Sequence, residues 1–141
     1  MWDILIFEEN SAICRYFQNN FNNIRLNKDA KEYDLAVVNT DVELFPFEIK
    51  TKCLLLSENI AMECVPIWAK QIISCGMSSR STVCFSSIDE YKAFLCVQRQ
   101  LECLCGKTVF PCDIPCKYNP KMSVNENIIC NAARLYLHKD D

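Results

Sequence analysis

Two short stretches, residues 33–38 (Tyr-Asp-Leu-Ala-Val-Val) and 53–57 (Cys-Leu-Leu-Leu-Ser), constrain this chain more than anything else in it. Neither alternates polar with apolar, and each is too short to be a core helix. A compact apolar run of this kind marks a strand buried on both faces, which requires covering layers above and below the sheet. The expected class is therefore α/β. Half of the residues are hydrophobic and 23% are charged, which is enough apolar material to order a core. The 141 residues fit one domain, so residues 1–141 are expected to form a single α/β unit.

The flanking sequence supplies the other elements. Residues 2–7 read as a strand, and Glu8, Glu9, Asn10 and Ser11 are acceptable helix-start residues. Ile13, Tyr16, Phe17 and Phe21 then recur at helical spacing, and the Asn-rich residues 19–23 end that helix before a brief strand at 24–26. Residues 41–51, with Phe45, Pro46 and Phe47, are too broken for a crossover helix and read as a loop or a single turn. Residues 67–74 read as the end of a short helix entering a strand that closes at Cys75 and Gly76. Glycine occurs only twice, so Gly76 and the polar residues 78–81 mark a turn that uses glycine's tolerance of positive φ.

Beyond that turn, residues 82–88, 92–101 and 108–117 read as strands of an antiparallel meander, with Gly106 and Lys107 turning the last hairpin. Pro111 and Pro115 cannot donate to a ladder and confine the last strand to an edge. Ser123 with Glu126 forms a capping box ahead of a C-terminal helix carrying Ile128, Ile129, Ala132, Ala133, Leu135 and Tyr136. The expected fold is a mainly parallel, Rossmann-like sheet over residues 1–75, continued by an antiparallel meander and a C-terminal helix over residues 76–141.

Charge and hydropathy argue against several partners. The net charge is −3 and the 15 Lys and Arg are scattered, which leaves no footprint for a phosphate backbone, so no nucleic acid is expected. The apolar runs fall far short of the roughly 20 residues that span a bilayer, so no membrane is expected. The N-terminus lacks the basic region and cleavage site of a signal peptide, and the expected location is cytoplasmic. Eleven cysteines are an odd number, and most stand where a buried hydrophobe would, which reads as reduced core thiols.

Three constellations carry candidate chemistry. Gly76, Ser78, Ser79 and Arg80 form a polar turn at the C-terminal end of a strand, where open α/β sheets take ligands, and Asn39 and Asp41 end the first buried run. These six are the candidate ligand-binding residues. Cys103, Cys105, Cys112 and Cys116 bring four thiols to one hairpin and make a zinc-binding module an alternative, although Cys-x-Cys followed by Cys-x-x-x-Cys is not a standard zinc spacing. Alternation places Cys103 and Cys105 on one strand face, which suits a core equally. Zinc aside, no cofactor is expected. His138 lies in a charged tail, a poor place for the oriented imidazole of a catalytic Cys-His pair.

Three stretches resemble the end of the central domain of the Mur ligases, which add amino acids to cell-wall precursors. Asp34-Leu35-Ala36-Val37-Val38-Asn39-Thr40-Asp41 looks like that family's strand ending in Asn-x-Asp. Residues 72–77 (Ile-Ile-Ser-Cys-Gly-Met) with residues 82–88 (Thr-Val-Cys-Phe-Ser-Ser-Ile) resemble its strand, glycine turn and following strand. Residues 125–133 (Asn-Glu-Asn-Ile-Ile-Cys-Asn-Ala-Ala) are similar to its His-Asn-x-x-Asn-Ala helix start, with Asn127 and Asn131 one residue further apart than the family's pair. The chain holds no Gly-x-x-x-x-Gly-Lys-Ser/Thr loop, so the resemblance implies the fold without the ATP phosphate site. What it implies is a non-catalytic binding or interaction domain in a bacterial cytosol, working through a protein partner or a homo-oligomer. A fainter likeness runs to response-regulator receivers through Glu8, Glu9, Asn39 and Ser57. Asn39 cannot be phosphorylated as an aspartate is, so this second resemblance implies an inactive, regulatory receiver-like domain.

Overall fold

A computed structural model of the chain describes residues 1–7, 11–39, 48–60 and 67–137. In these residues ten strands and two helices follow in the order β1 (Trp2–Ile6), α1 (Ala12–Asn20), β2 (Ile24–Leu26), β3 (Leu35–Val38), β4 (Ile49–Ser57), β5 (Ile67–Cys75), β6 (Val83–Ile88), β7 (Lys92–Val97), β8 (Leu101–Glu102), β9 (Thr108–Val109), β10 (Cys112–Lys117) and α2 (Val124–Leu137). Eight strands form one sheet in the order β10-β7-β6-β5-β4-β3-β1-β2. From β2 to β6 the pairings are parallel, and β6, β7 and β10 close the sheet with antiparallel pairings. The fold is α/β, mainly parallel with an antiparallel continuation and a C-terminal helix, as the residue pattern predicts.

Of the run at 33–38, residues 35–38 form the strand and Tyr33 adds an isolated bridge to Thr51. All four residues of β3 are buried, with β1 on one side and β4 on the other. One face of the sheet presents Ile4, Leu35, Val37, Leu55, Ile73, Phe85 and Leu95 to the two helices. Ile13, Phe17 and Phe21 come from α1 and its end, and Ile128, Ile129, Ala132, Ala133 and Tyr136 from α2. The other face gathers Leu5, Ala36, Val38, Leu54 and Leu56 with Tyr33, Ile49 and Ile67 in a second cluster.

Helix ends follow their chemistry. Ser11 caps α1, its Oγ accepting from the Cys14 amide at 3.1 Å. At α2 the Ser123 amide donates to Glu126 at 2.9 Å and the Glu126 amide donates to Ser123 Oγ at 3.1 Å, the reciprocal pair of a capping box. Pro111 and Pro115 flank and occupy β10, which is an edge strand of the large sheet.

Four expectations are corrected. Residues 67–74 hold no helical turn; β5 is extended throughout, paired in register with β4 from Ile49↔Ile67 to Ser57↔Cys75, so pairing decides what local pattern left open. Residues 92–101 and 108–117 are not two long strands. The β7 ladder ends just after Val97, its last bond running in register from the Gln98 amide to the Thr82 carbonyl at 2.8 Å, and residues 101–109 form a separate hairpin. Gly106, with φ 95°, turns β8 into β9, while β10 pairs with β7. The Gln71 side chain anchors this hairpin to β5 by exchanging two hydrogen bonds with the backbone of Glu102, at 2.8 and 2.9 Å. Finally, Gly76 is not among the positive-φ glycines, so its turn does not draw on glycine's tolerance of positive φ.

Candidate ligand site

Gly76 leaves room for a neighbouring carboxylate. A Cβ at this position would overlap the Glu58 side chain, which lies across the glycine. Glu58 Oε1 accepts from the Met77 amide at 3.2 Å, and Oε2 accepts from the Ser78 amide and from Ser81 Oγ, both at 3.0 Å. The turn offers the convergent donors that suit an anion, and the chain's own carboxylate occupies them. A cleft of about 430 Å³ beside it is lined by Ser57, Glu58, Ser74, Ser78, Arg80 and Ser81 among others. Ser79 and Arg80 are exposed. Asn39 follows β3 at the far side of β4, and Asp41 lies outside the described residues. The structure thus gathers Gly76, Ser78 and Arg80 at one turn and separates Asn39 from them.

The four candidate zinc ligands do not converge, and no group of three or more His, Cys, Asp or Glu with metal-binding geometry occurs among the described residues. Cys103 is 4% exposed and its thiol donates to the Leu135 carbonyl at 3.2 Å, while the Leu104 amide donates to the Tyr136 carbonyl at 2.8 Å. These two bonds satisfy carbonyls at the C-terminal end of α2 that the helix itself leaves open. Cys105 is exposed in the turn after β8, so it does not share a strand face with Cys103. Cys112 is exposed near the start of β10, and the Cys116 thiol donates to the Ala93 carbonyl at 3.5 Å. His138 lies outside the described residues.

A larger concavity lies elsewhere. A pocket of about 740 Å³ opens between the β7/β10 edge, residues 118–122 and the outer side of α2, with Tyr16 and Asn20 of α1 at one end. Tyr16, Tyr91, Tyr118, Leu95, Ile114, Met122 and Leu135 supply its apolar surface. Its charged lining residues are Lys117, Lys121 and Arg134, and no Asp, Glu or His is among the described residues that line it. In the whole chain, by contrast, 18 acidic residues outnumber 15 basic ones.

Each wall has a sequence cause. Asn127 ties residues 119–123 to the first turn of α2: its Nδ2 donates to the carbonyls of Asn119 at 2.8 Å, Ser123 at 3.0 Å and Met122 at 3.3 Å, and its Oδ1 accepts from the Asn119 amide at 2.8 Å. Asn131 Nδ2 donates to the Lys117 carbonyl at 3.1 Å and ties the end of β10 to the same helix. Tyr118 packs edge-on against Phe85, ring centres 5.8 Å apart, and its amide donates to the Tyr91 carbonyl at 2.9 Å. At the far end Arg134 Nη1 donates to the Tyr16 hydroxyl at 3.5 Å. Burial raises the pKa of that phenol, so Tyr16 stays protonated at neutral pH. Burial likewise pushes the Cys116 and Cys130 thiols up, which makes them poor nucleophiles.

The pocket is built by residues far apart in sequence, from Tyr16 to Leu135, and no local motif marks it. One signal was present: Lys117, Lys121 and Arg134 flank Asn127 and Asn131 with a single acid, Glu126, among residues 114–137. No protein-family model, curated protein or solved structure matches the chain.

Proposed function

We propose that this chain is a non-catalytic binding domain that takes a small anionic molecule with a planar ring in the pocket between β10 and α2. The observation that carries this reading is the charge of the pocket: Lys117, Lys121 and Arg134 with no carboxylate among the described lining, on a chain that is acidic overall. An arginine and two lysines in a concave, partly apolar setting favour an anion, and Arg134 has the donor geometry for a carboxylate, sulfonate or phosphate. Three tyrosines offer flat surface to a ring. The raised thiols of Cys116 and Cys130 and the want of a described histidine or carboxylate base in the lining support binding without chemistry. The likeness to the Mur central domain belongs to this proposal as a relation of fold, and Asn127 and Asn131 of that likeness both line the pocket.

Anilinonaphthalene sulfonate and its neutral relative phenylnaphthylamine test this reading by fluorescence titration. The sulfonate should bind at least about tenfold more tightly than the neutral ring, because a charge-assisted hydrogen bond contributes on the order of 1.5–3 kcal/mol. Arg134→Gln should remove that preference while leaving the fold intact by circular dichroism. Equal affinity for the two probes, or an undiminished preference in Arg134→Gln, would overturn the proposal.

A second reading, docking of a protein partner or a second copy, rests on Trp68, Ile72 and Phe94, which stand 54%, 42% and 45% exposed on β5 and β7. Sedimentation of the wild type and of Phe94→Glu tests it. A dimer that the substitution splits supports the reading, and a wild type that is monomeric at high concentration removes the homo-oligomer.

A further inference from the structure

The antiparallel end of the sheet places two thiols face to face. Cys84 on β6 stands directly opposite Cys96 on β7, and among the described pairings no other cysteine faces a cysteine. Residues directly opposed on antiparallel strands have Cα atoms roughly 4.5–5.5 Å apart, inside the range of about 4.4–6.8 Å that a disulfide bridges. Both side chains lie on the face of the sheet away from α1 and α2, since their neighbours Val83, Phe85, Leu95 and Val97 fill the helix-covered face. Cys84 is 8% exposed and Cys96 half-buried, and both are free thiols. Asp113 on β10 stands opposite Cys96 and completes a row across three strands.

We propose that Cys84 and Cys96 form a dithiol site that thiol–disulfide exchange converts to one intrachain disulfide, stapling β6 to β7. In the first step the Cys96 thiolate, the more accessible of the two, attacks one sulfur of oxidised glutathione. A Cys96–glutathione bond forms as the glutathione S–S bond breaks, and the departing thiolate takes up the proton that Cys96 released. Cys84, once deprotonated, then attacks the Cys96 sulfur, forming the Cys84–Cys96 bond and expelling a second glutathione. Two protein thiols are oxidised and one glutathione disulfide is reduced to two thiols. The site is guarded: burial raises both thiols, and together with the Asp113 carboxylate it pushes Cys96 to about 11, so little thiolate is present at neutral pH and exchange is slow.

The test uses the whole chain in glutathione buffers of increasing oxidised fraction, with acid quench, alkylation of free thiols under denaturing conditions, intact mass and peptide mapping without reduction. The first intrachain disulfide should join Cys84 to Cys96, leaving nine of the eleven cysteines alkylated. Cys84→Ser should accumulate a stable Cys96–glutathione adduct instead. If that variant does not fold, the wild-type map alone decides. The proposal fails if the first intrachain disulfide joins any other pair, or if both thiols stay reduced in a buffer oxidising enough to modify the exposed Cys105.

Discussion

Replacing Asn127 by alanine tests how the pocket is held together. This side chain is 2% exposed, and its hydrogen bonds, three donated by Nδ2 and one accepted by Oδ1, all go to the backbone of residues 119–123. Two of its bonds are short, both to Asn119 at 2.8 Å, and the contact to Met122 at 3.3 Å is the weakest. A net value near 1 kcal/mol for each good bond puts the loss at about 3 kcal/mol, counting the 2.8 and 3.0 Å bonds fully. In a domain of this length about 1 kcal/mol moves the midpoint by roughly 3 °C, so Asn127→Ala should melt about 9 °C lower. Circular dichroism melts and urea titrations with an unchanged m-value measure this. Asn127→Asp should also be destabilised, because it keeps the acceptor for the Asn119 amide but loses every donor. A midpoint for Asn127→Ala within about 2 °C of the wild type would refute the reasoning, since the loop would then be held by something other than this amide.

Three further outcomes follow from the same structure. Gly76→Ala should destabilise the wild type but cost much less in a Glu58→Ala background, because the overlap is with the Glu58 side chain; a double-mutant cycle in urea should give a coupling of at least about 1 kcal/mol, and strict additivity would contradict the account. Ser123→Ala removes one half of the α2 capping box and should lose about 1 kcal/mol, read by the same melts. Stability should fall in alkali. Burial raises Cys53 from 9.0 to about 12, and Cys75 and Cys130 are raised as well, so their contribution is fully present below pH 9 and is lost as pH climbs through the folded values. Unfolded thiols release their protons first, so urea midpoints should be level between pH 7 and 8 and drop steadily from pH 9 upward; a flat profile to pH 11 would contradict it.

Elements that depend on local chemistry were legible in the residues. Within the apolar run at 33–38, residues 35–38 are a strand buried on both faces, Ser11 and the Ser123–Glu126 pair are helix caps, and proline marks β10 as an edge. What was not legible depends on partners distant in sequence. Residues 67–74 carry an ambiguous pattern, and only the ladder with β4 makes them extended from end to end. The hairpin at 101–109 is set by the Gln71 side chain, which substitutes for a strand backbone, and by the open carbonyls of α2.

The candidate sites divide in the same way. The turn at 76–81 was recognisable as a set of donors, yet the anion it holds is Glu58, whose approach no local pattern announces. The cysteines at 103, 105, 112 and 116 looked like a cluster because they are close in sequence. In the fold, Cys103 serves the end of a helix and Cys116 a strand carbonyl, so the four do not form a cluster. The pocket itself needs α1, β7, β10 and α2 together, and composition over the whole chain hides a local excess of positive charge.

The most direct test of the central claim is a titration of the ¹⁵N-labelled protein with anilinonaphthalene sulfonate, following backbone amide signals. If the pocket between β10 and α2 is the anion site, the signals that move first should be those of residues 117–122 and 130–135. Signals that move at residues 77–81 while the pocket amides stay still would place anion binding at the turn that Glu58 occupies and would contradict the account.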